Sequence, residues 1–176
     1  ANLPPHHTCP VWIGWMNNHS YAAKTPTAPL RGAMGVPREL FLCETADGVR
    51  LGQRPWRGIE SLRGPIWQQD VPALRDQSWE VPLPWSDSRC LELRWDIALA
   101  GDAAEFGLRL RCGQGRALVV GFDNAKHAVF IDRSSSGVAV DETRWRGRRE
   151  APLAQPMGSL VLRILLDRCS VEVFTG

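Results

Sequence analysis

Leu91 to Leu99 read Leu-Glu-Leu-Arg-Trp-Asp-Ile-Ala-Leu. Apolar Leu91, Leu93, Trp95, Ile97 and Leu99 alternate with Glu92, Arg94 and Asp96, a period of two that a half-buried strand explains and a helix does not. Phe106, Leu108, Leu110 and Cys112 repeat the pattern against Arg109 and Arg111. Leu160, Leu162, Ile164 and Leu166 repeat it again, before Val171 and Val173. Ala117–Phe122 and Ala128–Ile131 are short apolar runs bounded by Gly113-Gln114-Gly115 and Asp123-Asn124, which mark turns. No stretch carries a convincing 3.6-residue period, so the pattern predicts an all-β fold, an antiparallel β-sandwich of short strands. Alternation also assigns faces. Leu93, Trp95, Ile97, Leu108, Leu110, Leu162, Ile164 and Val173 are expected inward, and Glu92, Arg94, Arg109, Arg111 and Arg163 toward solvent.

Upstream the texture changes. Val11–Met16 and Glu39–Cys43 look like strands, joined by a loop that holds Pro26, Pro29 and Pro37. From Glu44 to Ser88 come Pro55, Pro65, Pro72, Pro82 and Pro84, a density that blocks helix interiors and central strands. This zone reads as an extended connector with short edge strands, packed down by Trp56, Trp67, Trp79 and Trp85.

Composition narrows the function classes. The chain has 176 residues, enough to bury a core, with 44% hydrophobic and 23% charged residues and a net charge of +2. The basic residues are scattered, which argues against nucleic acid, and the one dense run, Arg146 to Arg149, reads as a solvated loop flanked by Glu142 and Glu150. No apolar run approaches the roughly 20 residues that span a bilayer. The chain opens Ala-Asn-Leu-Pro-Pro without a basic and apolar leader, and its compartment, cytoplasmic or secreted, stays open. Cys9, Cys43, Cys90, Cys112 and Cys169 are odd in number and lack C-x-x-C spacing, so neither a metal nor any other cofactor is expected. Cys90, Cys112 and Cys169 lie in or beside strand patterns and read as buried free thiols.

Other candidate chemistry is weak. His6-His7 is a pair without further ligands, and His127 beside Lys126 reads as a surface residue. No Ser, His and Asp fall at triad spacing. Gly113-Gln114-Gly115 suits a hairpin, not a phosphate cradle, because no helix start follows. Phe130-Ile131-Asp132-Arg133-Ser134-Ser135 echoes Leu165-Leu166-Asp167-Arg168-Cys169-Ser170. In each, Asp is expected to seed a turn while Arg lies across the strand face.

These phrases carry a family resemblance. Val11 to Leu40, VWIGWMNNHSYAAKTPTAPLRGAMGVPREL, resembles the end of the catalytic propeller in glycoside hydrolase family 32, the β-fructosidases. Asp132-Arg133-Ser134-Ser135-Ser136-Gly137 and Asp167-Arg168-Cys169-Ser170-Val171-Glu172-Val173-Phe174 resemble two phrases of that family's following sandwich, in the same order. The resemblance implies a remnant of the last propeller blade over 1–45, the connector over 46–88, and over 89–176 a jelly-roll or concanavalin-like sandwich that continues in the family beyond Thr175-Gly176. It implies retaining hydrolysis of β-fructofuranosyl bonds in sucrose or fructans, with a fructose-containing oligo- or polysaccharide as partner.

The family's catalytic carboxylates are not in this sequence. Retaining glycosidases need two carboxyl groups about 5 Å apart. The family carries its nucleophile in Asn-Asp-Pro, its acid/base in Glu-Cys and a transition-state Asp in Arg-Asp-Pro. Here Asn17-Asn18 precedes His19, Arg75-Asp76 precedes Gln77, and Cys43-Glu44 is reversed. An amide does not attack an anomeric carbon as a carboxylate does. No catalytic residue is therefore assigned. By resemblance Trp15, Asn18, His19 and Leu30 line the sugar pocket, with His19 and Leu30 standing where the family usually has Trp. Either these two losses weaken sugar stacking or the two positions are structural and have drifted. Two functions stand: the C-terminal region of a β-fructosidase, inactive alone, or a non-catalytic sandwich that binds carbohydrate or a subunit. Cut strand edges suit a homo-oligomer in either case.

Overall fold

The alternating stretches form strands. A computed structural model describes residues 9–27, 29, 32–45, 47–85, 88–99, 103–137, 140, 143–153 and 158–176. Among them lie β1 (Val11–Trp12), β2 (Arg38–Thr45), β3 (Gly48–Pro55), β4 (Leu91–Ala98), β5 (Glu105–Gly113), β6 (Arg116–Asp123), β7 (Ala128–Asp132), β8 (Arg148–Pro152), β9 (Ser159–Asp167) and β10 (Ser170–Thr175). Among the described residues the helical elements are two short 3-10 turns, Ala22–Lys24 and Arg57–Leu62. The sheets run β1-β2-β3, β10-β9-β4 and β5-β6-β7-β8. Packing divides the chain into one unit of Ala1–Arg54 with Ala104–Pro156 and another of Pro55–Ala103 with Met157–Gly176.

In the first unit, β5 and β6 are joined at Gln114-Gly115, with φ of +52° and +73°. Two left-handed residues between antiparallel strands suit the twist of a tight hairpin, as the Gly-Gln-Gly signal predicts. One face of the four-stranded sheet is apolar, with Val120, Phe122 and Val129 buried and Leu108 and Leu110 half-buried. Arg109 and Arg111 are exposed on the other face, as expected. On that second face Gly107 pairs with Gly121, and Gly121 with Phe130. The Phe130 ring occupies the space that Gly121 leaves, and the Arg148 guanidinium carbon stands 3.6 Å from its centre.

Arg148 corrects the solvated-loop reading of the basic run. It begins β8, is half-buried, and meets Asp123 Oδ2 at 3.0 Å and the Glu105 carboxylate. Its Nε lies 2.7 Å from Glu150 Oε1 in a close ion pair, misaligned for a hydrogen bond. Charge density in the sequence marked this segment as polar; strand pairing with β7 and the Phe130 ring draw it in.

In the second unit β9 is central. Leu93, Ile164 and Val173 stand in one cross-strand row, and Trp95 and Leu162 in the next. Leu160, Leu162 and Ile164 are 0% exposed, which fixes the expected register. Arg94 faces solvent. Glu92 and Arg163 do not, contrary to expectation: their side chains retain 20% and 21% exposure. Arg63, just past the second 3-10 turn, donates to both Glu92 oxygens at 2.9 and 2.7 Å. Arg163 Nε adds an ion pair at 2.8 Å. Glu172 and Phe174, which share that face by alternation, are buried as well.

The Arg63 hydrogen bonds, with Arg163's charge, hold the Glu92 carboxyl below its ordinary range, against the opposing effect of burial. A depressed carboxylate contributes stability above its unfolded pKa, lost as pH falls through the folded value. Stability of the wild-type chain should therefore fall as pH drops below the ordinary Glu value of about 4.3, and Glu92→Gln should be less stable at pH 7 with a shallower acid limb. Urea midpoints at pH 7 and at successive lower pH values check this; parallel acid limbs for both proteins would remove Glu92 from the account.

Two further expectations are corrected. Cys90, Cys112 and Cys169 are exposed free thiols, because each sits at a strand end or turn: Cys169 lies in the β9–β10 hairpin, and Cys90 precedes β4, its Sγ reaching Asp167 Oδ1 at 3.2 Å. Trp67 and Trp79 are 37% and 49% exposed, so they do not pin the connector down. Trp56 does pack, its ring filling the space beside Gly58.

Candidate functional site

The segment after β1 carries the candidate sugar-facing side chains. Trp15 bridges to Met34, Met16 N donates to Ala33 O at 2.8 Å, and Gly35 N to Gly14 O at 2.7 Å. This short antiparallel pairing sets Trp15 beside Gly32, whose φ is +98°. A Cβ at Gly32 would stand 2.5 Å from Trp15 Nε1 and 3.2 Å from Asn17 Nδ2. Both conformation and space therefore demand glycine there.

Past Trp15 the chain turns. Asn17 Oδ1 accepts Asn18 N, and Asn18 Oδ1 accepts Ser20 N, each at 2.9 Å. The Asn18 carbonyl accepts both Tyr21 N at 3.1 Å and Ala22 N at 2.8 Å. The fold brings His19 back to Trp15, with ring centres 5.1 Å apart and planes inclined at 55°. Trp15, Asn18 and His19 are all exposed, Trp15 at 41%. Leu30, the fourth expected lining residue, lies outside the described residues.

This turn does not stand alone. Tyr21 meets Trp145 edge-on, with ring centres 5.4 Å apart at 85°, and Arg133 lies over the Trp145 ring at 4.6 Å. Sequence reading missed Tyr21 and Trp145 altogether. The one available signal was Arg133 in the Asp-Arg echo, which was read as lying across its strand face. The Asp part of that echo does act as expected: Asp132 Oδ1 accepts Ser134 N at 2.8 Å, and Asp167 Oδ1 accepts Arg168 N at 2.7 Å. The Ser134 hydroxyl, then its amide, hold the Asp132 carboxyl below its ordinary range, and the Arg168 amide with the Cys90 thiol does the same for Asp167.

Other sequence candidates remain apart from this cluster. His127 is exposed at φ +47° and meets Phe122 edge-on. Asp76 is exposed with φ +49°. His6 and His7 lie outside the described residues. Among the described residues, no three His, Cys, Asp or Glu side chains gather as metal ligands, and no helix is long and apolar enough to cross a membrane.

A family model described as Glycosyl hydrolases family 32 C terminal matches residues 59–176. The chain is 35% identical over 176 residues to the levanase of Bacillus subtilis (strain 168), covering 99% of this chain and 26% of the levanase. It is 34% identical over 173 residues to an extracellular exo-inulinase of Aspergillus awamori, covering 94% of this chain and 31% of that protein. The crystal structure of the Aspergillus awamori exo-inulinase matches with a TM-score of 0.81 at 32% identity, over 94% of this chain and 32% of the other. The chain thus spans under a third of the length of these relatives. The fold class is the all-β antiparallel sandwich that the alternation and motifs predict. With a family model over most of its length and relatives matched nearly end to end, this chain belongs to glycoside hydrolase family 32, as its C-terminal region.

Proposed function

We propose that this chain serves as the C-terminal part of a β-fructosidase that hydrolyses β-fructofuranosyl bonds of sucrose or fructans, and that it is not catalytic by itself. The levanase and exo-inulinase relatives support the substrate class. The observation that carries the reading is the exposed Trp15–His19 pair beside Asn18, with Trp15 packed against Gly32. An aromatic face of this kind packs against the C–H face of a furanose ring. Trp15, Asn18, His19 and Leu30 are the proposed lining residues, with His19 and Leu30 offering less stacking area than tryptophan. Asn-Asp-Pro, Arg-Asp-Pro and Glu-Cys are not among the 176 residues.

The purified chain should release no fructose from sucrose, inulin or levan above a denatured control in a reducing-sugar assay. An Asp76→Ala preparation, run alongside, separates host invertase from genuine turnover; activity lost in that variant would overturn the non-catalytic reading. Titration with a fructo-oligosaccharide should change tryptophan fluorescence in the wild type and not in Trp15→Ala.

A second reading, a non-catalytic module that pairs with a second copy, has its own observation. Trp12, Leu42, Val49 and Leu51 on the β1-β2-β3 sheet are 49%, 75%, 59% and 59% exposed, beside the unpaired edges of β1 and β3. Such a surface favours strand or face pairing. Sedimentation of the same preparation decides it: a dimer supports pairing, a monomer removes it.

A further inference from the structure

Arg133 sits on a backbone fixed from both sides. Its N–H donates to Gly147 O at 3.2 Å, and its carbonyl accepts Ser136 N at 3.1 Å and Ser136 Oγ at 2.9 Å. An arginine one residue past a strand ordinarily sends its head into water. This one is half-buried, and burial lowers its proton affinity despite the opposing Tyr21 hydroxyl nearby. Its guanidinium covers the Trp145 ring, and Tyr21 abuts the same ring edge-on. Three side chains from distant parts of the chain thus close on one another.

The Tyr21 corner of that triangle is the turn that carries the candidate site. Tyr21 and Ala22 both hang their amides on the Asn18 carbonyl, and His19, next along, returns to Trp15. A shift of the Tyr21 backbone, which the ring contact with Trp145 opposes, would pull on the Asn18 carbonyl and so on the Trp15–His19 pair. Within the turn, Lys24 N donates to Tyr21 O at 2.9 Å and Thr25 Oγ1 to Ala22 O at 2.8 Å, so Tyr21 is tied to both ends of it.

We infer that Arg133 is a positioning residue: through Trp145 and Tyr21 it fixes the Asn18–Lys24 turn and with it the attitude of Trp15 and His19 toward a sugar. Its consequence for binding rests on the proposed lining role of Trp15 and His19; the mechanical coupling does not. A guanidinium stacked on a tryptophan lies flat on the ring, so lysine replaces its charge but not its fit.

The test measures amide hydrogen exchange and the tryptophan indole N–H signals by NMR on the full chain, without sugar, for wild type, Arg133→Gln, Arg133→Lys and Tyr21→Phe. Loss of one such cation–aromatic contact should speed exchange at Tyr21 and Ala22 by roughly tenfold and shift the Trp15 indole signal. Amides of β6 and β7 should keep their protection, and lysine should restore part of the effect. Should Arg133→Gln fail to fold, Tyr21→Phe, which removes one hydroxyl, carries the same readout. Unchanged exchange at Tyr21 and Ala22 with an unchanged Trp15 signal overturns the inference. Titration with a fructo-oligosaccharide then separates it from the sugar reading. Weaker binding in Arg133→Gln supports positioning, and binding equal to wild type overturns it. If the wild type does not bind at all, the lining role falls, and the exchange data alone decide the coupling.

Discussion

Gly121→Val is expected to destabilise the chain by about 3 kcal/mol, read as a lowered urea midpoint by circular dichroism. Gly121 lies mid-strand in β6, where valine would ordinarily be favoured by up to about 1 kcal/mol. Sterics reverse that sign. A Cβ there would collide with the Phe106 carbonyl oxygen and stand 2.5 Å from Phe130 Cζ. Phe130 has little room to yield, because it is 2% exposed and Arg148 lies over its ring. Phe130→Ala should cost less in the Gly121→Val background than in the wild type, since there it also vacates one of the two obstacles. A midpoint equal to wild type would mean that the ring does not sit on Gly121.

Ile164→Ala should cost about 2–5 kcal/mol, and Ile164→Val about 0.5–1.5 kcal/mol. Ile164 is 0% exposed at the centre of β9, flanked by Leu93 and Val173. Neighbours on both sides are held by strand pairing and cannot collapse into the void. The loss is a large share of the roughly 5–15 kcal/mol that a domain of this kind has. Arg94→Ala provides the contrast. Arg94 retains 68% side-chain exposure and pairs with Asp96 on its own strand, so its removal should stay within about 0.5 kcal/mol. Equal losses for the two alanine variants would place the register wrong by one residue.

These two positions differ in how far the sequence reveals them. Ile164 was legible, because alternation over Leu160, Leu162 and Ile164 states a face directly. Gly121 was not. Its neighbour Phe130 lies on another strand, and only the β6–β7 register puts the ring over the glycine. The same holds for Glu92 and Arg163, which alternation assigns to solvent and which Arg63 covers by returning over the sheet. In the candidate site, Trp15, Asn18 and His19 were nameable from the motif they belong to. The support from Tyr21, Trp145 and Arg133 was not, since nothing in the spacing of these three joins them.

What the amino-acid sequence by itself determined is the local periodicity and its punctuation: where strands run, which of two faces each side chain takes, and where Gly and Asp reverse the chain. It also determined family membership, and that the three catalytic phrases do not occur in these residues. Which face is covered, and by what, was decided only in the tertiary structure. Alternation measures the direction of a side chain relative to its own strand, over two or three residues. Cover depends on a distant segment arriving, as Arg63 arrives at Glu92, Arg148 at Phe130 and Arg133 at Trp145. Each of these is a charged residue that composition alone assigns to water. Burial of their stems and pairing of their heads draw them in.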